Sequence, residues 1–181
     1  MNKVIRRANL DDLDFIVRTD LLNEGYTSNS DVMTIEEIDR HTQKLKQFIV
    51  DEEKGILVLE DAEQNGCIGY IMYRISNRDN PYPWKTAFSE LDRNLFQEDG
   101  RFLEIYNLWV NSEYRRQGLA TFLKKEIEIE AKKHSVNLIY THTEAENEHV
   151  IELNRKLGYV EVRRGTIWDQ VIRVSLIKRR L

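Results

Sequence analysis

Two periodicities divide this chain: helical spacing of apolar residues in some stretches, strict alternation in others. Lys3–Arg7 reads as a short first strand. Asp11 and Asp12 are then placed to cap a helix through Val17, with Leu13 and Ile16 one turn apart. Thr34 and Glu37 have capping-box spacing and open a second helix, in which Ile38, Leu45, Phe48 and Ile49 recur near the helical period. From Gly55 the pattern becomes that of strands, over 56–60 and 67–76, and the polar link 61–66 predicts a hairpin. Residues 78–100 break the pattern, holding Pro81, Pro83, Trp84, Phe88 and Phe96 among many charges. This segment reads as an insertion with a short helix at most, serving as a lid, as an interface, or merely as surface packed on its host.

Order returns with a strand over Arg101–Val110, a turn, and a helix from near Gly118 whose stripe is Leu119, Phe122, Leu123, Ile127 and Ala131. A strand over 137–143 precedes a helix over 147–157, with Val150, Leu153 and Leu157 inward and Gly158 where a left-handed C-cap belongs. Strands over 159–163 and 167–177 close the chain. Strands alternating with helices, with antiparallel hairpins before and after, predict a mixed α/β single domain of the α+β type over residues 1–181.

The length of 181 residues suits one domain with a core that needs no staples. With 27 Lys+Arg against 31 Asp+Glu the net charge is −4, which argues against bulk nucleic-acid binding, since phosphate neutralisation needs a positive face. A single cysteine, Cys67, excludes an intramolecular disulfide and a thiolate zinc cluster; in its apolar strand it reads as structural. Nothing resembles a secretory signal, and no run of about 18 apolar residues marks a membrane span. The expectation is a cytoplasmic protein with neither membrane nor nucleic-acid partners.

The chemistry concentrates where the strand ending in Leu108-Trp109-Val110 passes through a basic turn, Arg115-Arg116-Gln117-Gly118, into the helix at Leu119-Ala120-Thr121. Free N–H groups and the positive dipole at a helix start form an anion site. Gly118 lets backbone approach the anion, Ala120 does not obstruct it, and Arg115 and Arg116 add charge, unless they are simply solvated. No Walker or dinucleotide-binding glycine pattern is present.

The spacing Arg115-x-x-Gly118-x-Ala120 after that strand resembles the acetyl-CoA motif of the GNAT N-acetyltransferase superfamily. The run from Asn147 to Leu157-Gly158-Tyr159 resembles the family's second motif. The detailed match covers roughly a third of the chain, and two motifs in order are more specific than either alone. The resemblance implies a central, mostly antiparallel sheet with one splayed parallel strand pair, flanked by helices. It implies acetyl-CoA as co-substrate and no metal. The pyrophosphate would rest on N–H groups from Arg116 to Thr121, and the pantetheine would pair with backbone at Leu108–Val110. Asn147 would hydrogen-bond it. A backbone N–H at the end of that strand would receive the oxyanion, and a homodimer is compatible with the family.

Acetyl transfer to an amine needs a base, because an alkylammonium has a pKa near ~10. By strict alternation Glu104 shares a face with Tyr106, Leu108 and Val110, and its position matches the catalytic glutamate of the family's histone-acetylating members. It reads as the base or as an ordinary surface glutamate. His142, ending the 138–140–142 face, reads as a second base or as a structural histidine. The family commonly has a tyrosine in the second motif's helix as the acid for the thiolate. Asn154 stands there and cannot supply a proton, leaving water, Tyr140 or Tyr159 as substitutes. His142, Glu144, Glu146, Glu148 and His149 fit no common metal-ligand spacing.

The acceptor region of the family carries Asp20, Glu24, Tyr26, Asp31, Glu36 and Glu37 here, which suits a cationic amine or merely an acidic helix face. These features lead to an N-acetyltransferase moving acetyl directly from acetyl-CoA to a primary amine of a small molecule or peptide. The rivals are a non-catalytic acyl-CoA-binding or sensing module and an interaction domain built on the 78–100 aromatics.

Overall fold

The computed structural model describes residues 3–23, 34–63 and 66–179. In chain order its elements are β1 (Lys3–Arg7), α1 (Leu13–Asn23), α2 (Ile35–Val50), β2 (Lys54–Asp61), β3 (Gly66–Asn77), β4 (Arg101–Val110), α3 (Leu119–Lys133), β5 (Leu138–Glu144), α4 (Glu148–Lys156), β6 (Val160–Gly165) and β7 (Arg173–Arg179). They make an α+β fold on a seven-stranded, mostly antiparallel sheet of order β1-β2-β3-β4-β5-β7-β6. The parallel pair is β4–β5, with Leu103 opposite Ile139 and Glu104 opposite Tyr140. Among the described residues that ladder extends no further, although β5 continues against β7 to Glu144. No helix among the described residues is long and apolar enough to cross a membrane.

The chain forms two compact units, Met1–Met72 with Asn107–Leu119, and Tyr73–Tyr106 with Ala120–Leu181. In the first, the cap of the opening helix is Asn9 rather than Asp11 or Asp12. Its side chain accepts from the Asp11 N–H at 2.8 Å, and Asp12 reaches back to the Asn9 N–H at 2.8 Å. A 3₁₀ turn over Leu10–Asp12 follows, and α1 runs to Asn23, well past the expected end at Val17. The Thr34–Glu37 capping box forms as its spacing predicts. Ile16, Val17, Leu45 and Phe48 bury the inner faces of α1 and α2, while Ile38 is left 39% exposed. Cys67 donates to the Gly69 carbonyl, and burial pushes its thiol up to about 11, so it is not a nucleophile.

In the second unit, the 78–100 segment is a roof over the sheet. Its 3₁₀ turns, Phe88–Glu90 and Arg93–Leu95, bring Phe88, Leu91 and Phe96 against Phe102 of β4, Tyr140 of β5 and Ile177 of β7. Phe88 meets Phe102 and Tyr140 edge to face at 4.8 and 4.9 Å. The roof closes at Gly100, which has φ +74° and accepts from the Arg78 N–H at 2.9 Å.

The stripe of α3 departs from expectation at two neighbouring positions. Phe122 is 37% exposed, whereas Lys124 is 4% exposed, its ammonium 5.0 Å from the centre of the Tyr159 ring. On α4 the buried residues are Ile151 and Asn154, with Val150, Leu153 and Leu157 only half-buried. Gly158 takes the left-handed C-cap at φ +85°. β6 pairs with β7 through a register shift between Glu161 and Arg163. β7 begins at Arg173, not at Ile167: Asp169 caps the Val171 N–H and pairs with Arg173 at 2.9 Å, and this holds 166–172 as a loop.

Two stability tests follow from these placements. A Cβ on Gly100 would sit 2.8 Å from Asn77 Oδ1 and 2.9 Å from Arg93 Nη1, in a backbone region that L residues avoid. Gly100→Ala is therefore expected to cost about 1–3 kcal/mol in denaturant unfolding. Burial lowers the Lys124 amine to about 7 from an ordinary 10.5. Between those values the unfolded chain binds the proton and the folded chain does not, so this group adds stability as pH rises from 7 and costs its full penalty below 7. Lys124→Met should raise Tm more at pH 6.5 than at pH 10.5, by ~2–4 °C per kcal/mol recovered.

Candidate active site

The turn after β4 is built to present backbone N–H groups. Asn111 caps a 3₁₀ turn over Ser112–Tyr114, and Arg115 Nε donates to the Val110 carbonyl at 3.2 Å, drawing the loop back to the strand end. Arg116 and Gly118 are both left-handed, at φ +60° and +79°. Left-handed residues interleaved with ordinary ones make concave N–H arrangements that bind anions. Among the described residues the N–H groups of Arg116 and Gly118 find no backbone acceptor. Those of Leu119, Ala120 and Thr121 open α3 and have no carbonyl a turn before them. A Cβ on Gly118 would meet nothing within 4 Å, so space lies open above the loop. These features fit a pyrophosphate. Upstream in the same unit, Trp109 stacks on Tyr70 at 5.5 Å and meets Phe15 edge-on at 5.9 Å, fixing the strand end at Leu108–Val110.

Glu104 and His142, separate candidates in the sequence, line one cavity of about 20 Å³ in the second unit, together with Tyr140, Trp84, Phe88 and Trp168. That volume holds roughly one water. Glu104 is 2% exposed. Its Oε2 accepts from Arg74 Nε at 2.6 Å and Ser76 Oγ at 2.9 Å, and among the described residues Oε1 has no partner. The Arg74 guanidinium lies over the rings of Trp84 and Tyr106, at 5.5 and 5.7 Å. His142 stands edge-on to Trp168 at 5.1 Å, its Nδ1 buried without a partner among the described residues. Burial lowers its pKa, with Glu104 opposing, so the ring is neutral at neutral pH. Tyr140 donates to or accepts from Ser175 at 2.9 Å, and burial pushes its phenol up to about 12.

The two asparagines of the second motif differ in setting. Asn147 is the N-cap residue of α4, yet its side chain makes no capping bond, leaving the amide free among the described residues. Asn154 is fully buried, with Nδ2 donating to the Val150 carbonyl at 3.0 Å and Oδ1 unpartnered. Tyr159 is buried, its hydroxyl without a partner among the described residues.

Of the acidic wall expected for a cationic acceptor, two described members are engaged locally and Glu36 is exposed. Asp20 is fully buried, accepting from Asn107 Nδ2 on β4 and lying 3.2 Å from His41 Nε2 on α2. Glu37 is spent on the Thr34 cap, and Glu24, Tyr26 and Asp31 lie outside the described residues. Among the described residues no group of three or more His, Cys, Asp or Glu is placed to hold a metal ion.

A family model described as "Acetyltransferase (GNAT) family" matches residues 19–159. The chain belongs to that family. No curated protein matches by sequence. Among solved structures, Arabidopsis thaliana NAA60 in complex with acetyl-CoA is 17% identical with a TM-score of 0.70, each chain being covered to 98%. Ribosomal-protein-alanine N-acetyltransferase from Brucella melitensis is 21% identical with a TM-score of 0.69, covering 97% of this chain and 99% of that one. Mutant forms of the Vibrio cholerae spermidine/spermine N-acetyltransferase SpeG are 18% identical at 0.63, covering 98% and 95%. At these identities the likeness is one of fold.

Sequence reasoning missed Arg74, Ser76, Arg163 and Trp168. A signal was there for the first: Arg74 interrupts an apolar strand, where an arginine needs a partner. Trp168 was hidden by the strand expected over 167–177.

For this GNAT protein, acetyl-CoA at ~100 times its Kd should add about 2.7 kcal/mol. That is roughly 5–10 °C in a thermal shift. Gly118→Val has no neighbour to clash with but cannot hold φ +79° without strain, so the variant should fold and lose most of that shift.

Proposed function

We propose that this protein transfers an acetyl group directly from acetyl-CoA to the primary amine of a small molecule or peptide, without an acyl-enzyme. The observation that carries the reading is the convergence of Glu104 and His142 on one small cavity, with the carboxylate half-tied and half-free. N–H groups from Arg116 to Thr121 would hold the pyrophosphate, with Arg115 and Arg116 beside it. The backbone at Leu108, Trp109 and Val110 would align the pantetheine and give an N–H to the oxyanion, and Asn147 would offer its amide.

Glu104 is the base. Arg74 and Ser76 fix Oε2, so the proton of the incoming ammonium goes to Oε1, either directly or through a single water of the size this cavity accepts. His142, neutral and one pleat along β5 from Tyr140, is the alternative acceptor. Tyr140 is better placed than Tyr159 to act where Asn154 cannot, since it borders the same cavity as Glu104. With its phenol near 12 it serves as a hydrogen-bond donor to the departing thiolate rather than a source of free protons.

The buried, inward-bonded Asn154 favours one rival, an acyl-CoA-binding module without turnover. Release of CoA thiol against a mixed amine panel separates the two. Glu104→Gln is expected to lower turnover by at least ~100-fold while acetyl-CoA binding persists. If Glu104→Gln stays near wild type and His142→Gln falls instead, the histidine is the base.

A further inference from the structure

Within the same cavity one charge is unaccounted for. Arg74 is matched by Glu104, and Arg173 by Asp169. Arg163, unlike those two, lines the cavity itself, and among the described residues no carboxylate forms an ion pair with it. Its Nη2 donates to two neutral groups, Thr86 Oγ1 in the roof at 3.0 Å and the Thr166 carbonyl. These bonds anchor one end of the guanidinium, and among the described residues Nη1 and Nε have no partner.

The orientation of Arg163 is not an accident of a long side chain. On β6, Glu161 is opposite Leu176, but Arg163 is opposite Ser175, so Val162 is an extra residue in the ladder. Without that bulge Arg163 would face Val174 and point to the other side of the sheet. With it, Arg163, Ser175 and His142 form one cross-strand row on the cavity face, because Ser175 is also opposite His142.

We infer that the acceptor is an amine that also carries an anionic group, a carboxylate or a phosphate, which Arg163 receives while the nitrogen is directed to Glu104. This rests on the acetyltransferase reading above. A cavity of about 20 Å³ admits little more than the amine head, so the rest of the acceptor lies along its rim. A polyamine would add positive charge beside an unmatched guanidinium; an anionic oxygen pair matches its planar fork.

The test uses paired acceptors that differ in the anion alone: L-leucine against 3-methylbutylamine, and phosphoethanolamine against ethanolamine, with spermidine as the polycation. Thiol release with acetyl-CoA gives kcat/KM. Quenching of tryptophan fluorescence, reported by Trp84 and Trp168 at the cavity, gives binding without chemistry. At least one anionic member should exceed its partner by ~10-fold or more, as a charge-assisted hydrogen bond warrants. Which pair shows it separates carboxylate from phosphate. In Arg163→Met that ratio should collapse towards one, and Arg163→Lys should restore part of it. The acetyl-CoA thermal shift reports that both variants are folded.

Transfer that favours spermidine or the uncharged-tail amines in wild type overturns the anionic acceptor and leaves the acetyltransferase reading intact. Should no amine be acetylated, that reading falls, and fluorescence decides the site. Anionic-amine binding lost in Arg163→Met sustains it, and no such binding overturns it.

Discussion

A carboxylate among tryptophan and phenylalanine rings keeps its charge only if something nearby meets it, and here Arg74 and Ser76 reach Glu104 from the adjacent strand. The pair is asymmetric: both donors use the same oxygen. Removing either charged partner would strand the other, at a cost of about 3–5 kcal/mol for a buried pair. Arg74 in turn lies over Trp84 of the roof and Tyr106 of β4. One guanidinium therefore ties the strand carrying the carboxylate to the segment that closes over it.

That dependence explains the form of the 78–100 segment. A surface insertion without a task would be polar, yet this one commits Phe88, Leu91 and Phe96 to the interior against Phe102, Tyr140 and Ile177. The rings that narrow the cavity to about one water also bury the apolar face of β4 and β5. Stability of the roof and the small size of the cavity thus come from the same packing, and both depend on the tight closure at Gly100.

The parts of the fold legible in the sequence were those governed by local rules. The Thr34–Glu37 box, the strand at Arg101–Val110 and the Gly158 cap each follow from short-range chemistry. The left-handed turn at Gly118 was readable because a glycine between strand and helix so often supplies a positive φ. Misreadings arose where distant residues decide. Asp20 looked like a surface acid until Asn107 and His41 enclosed it. Lys124 falls outside the apolar stripe of α3 because periodicity counts positions and not neighbours; it is buried over Tyr159. The cavity itself had no signature, since its walls come from the roof, β4, β5, β6 and the loop after it.

The extra residue in β6 has a consequence unrelated to chemistry. β6 is the last strand of the sheet, with Val160 64% exposed, and its outer backbone groups could template a strand from another molecule. The bulge at Val162 spoils the even spacing such a strand would need, and Arg164 folded onto Glu161 at 2.9 Å puts paired charges along the rim. The irregularity that turns Arg163 inward also makes this edge a poor seed for β-sheet aggregation.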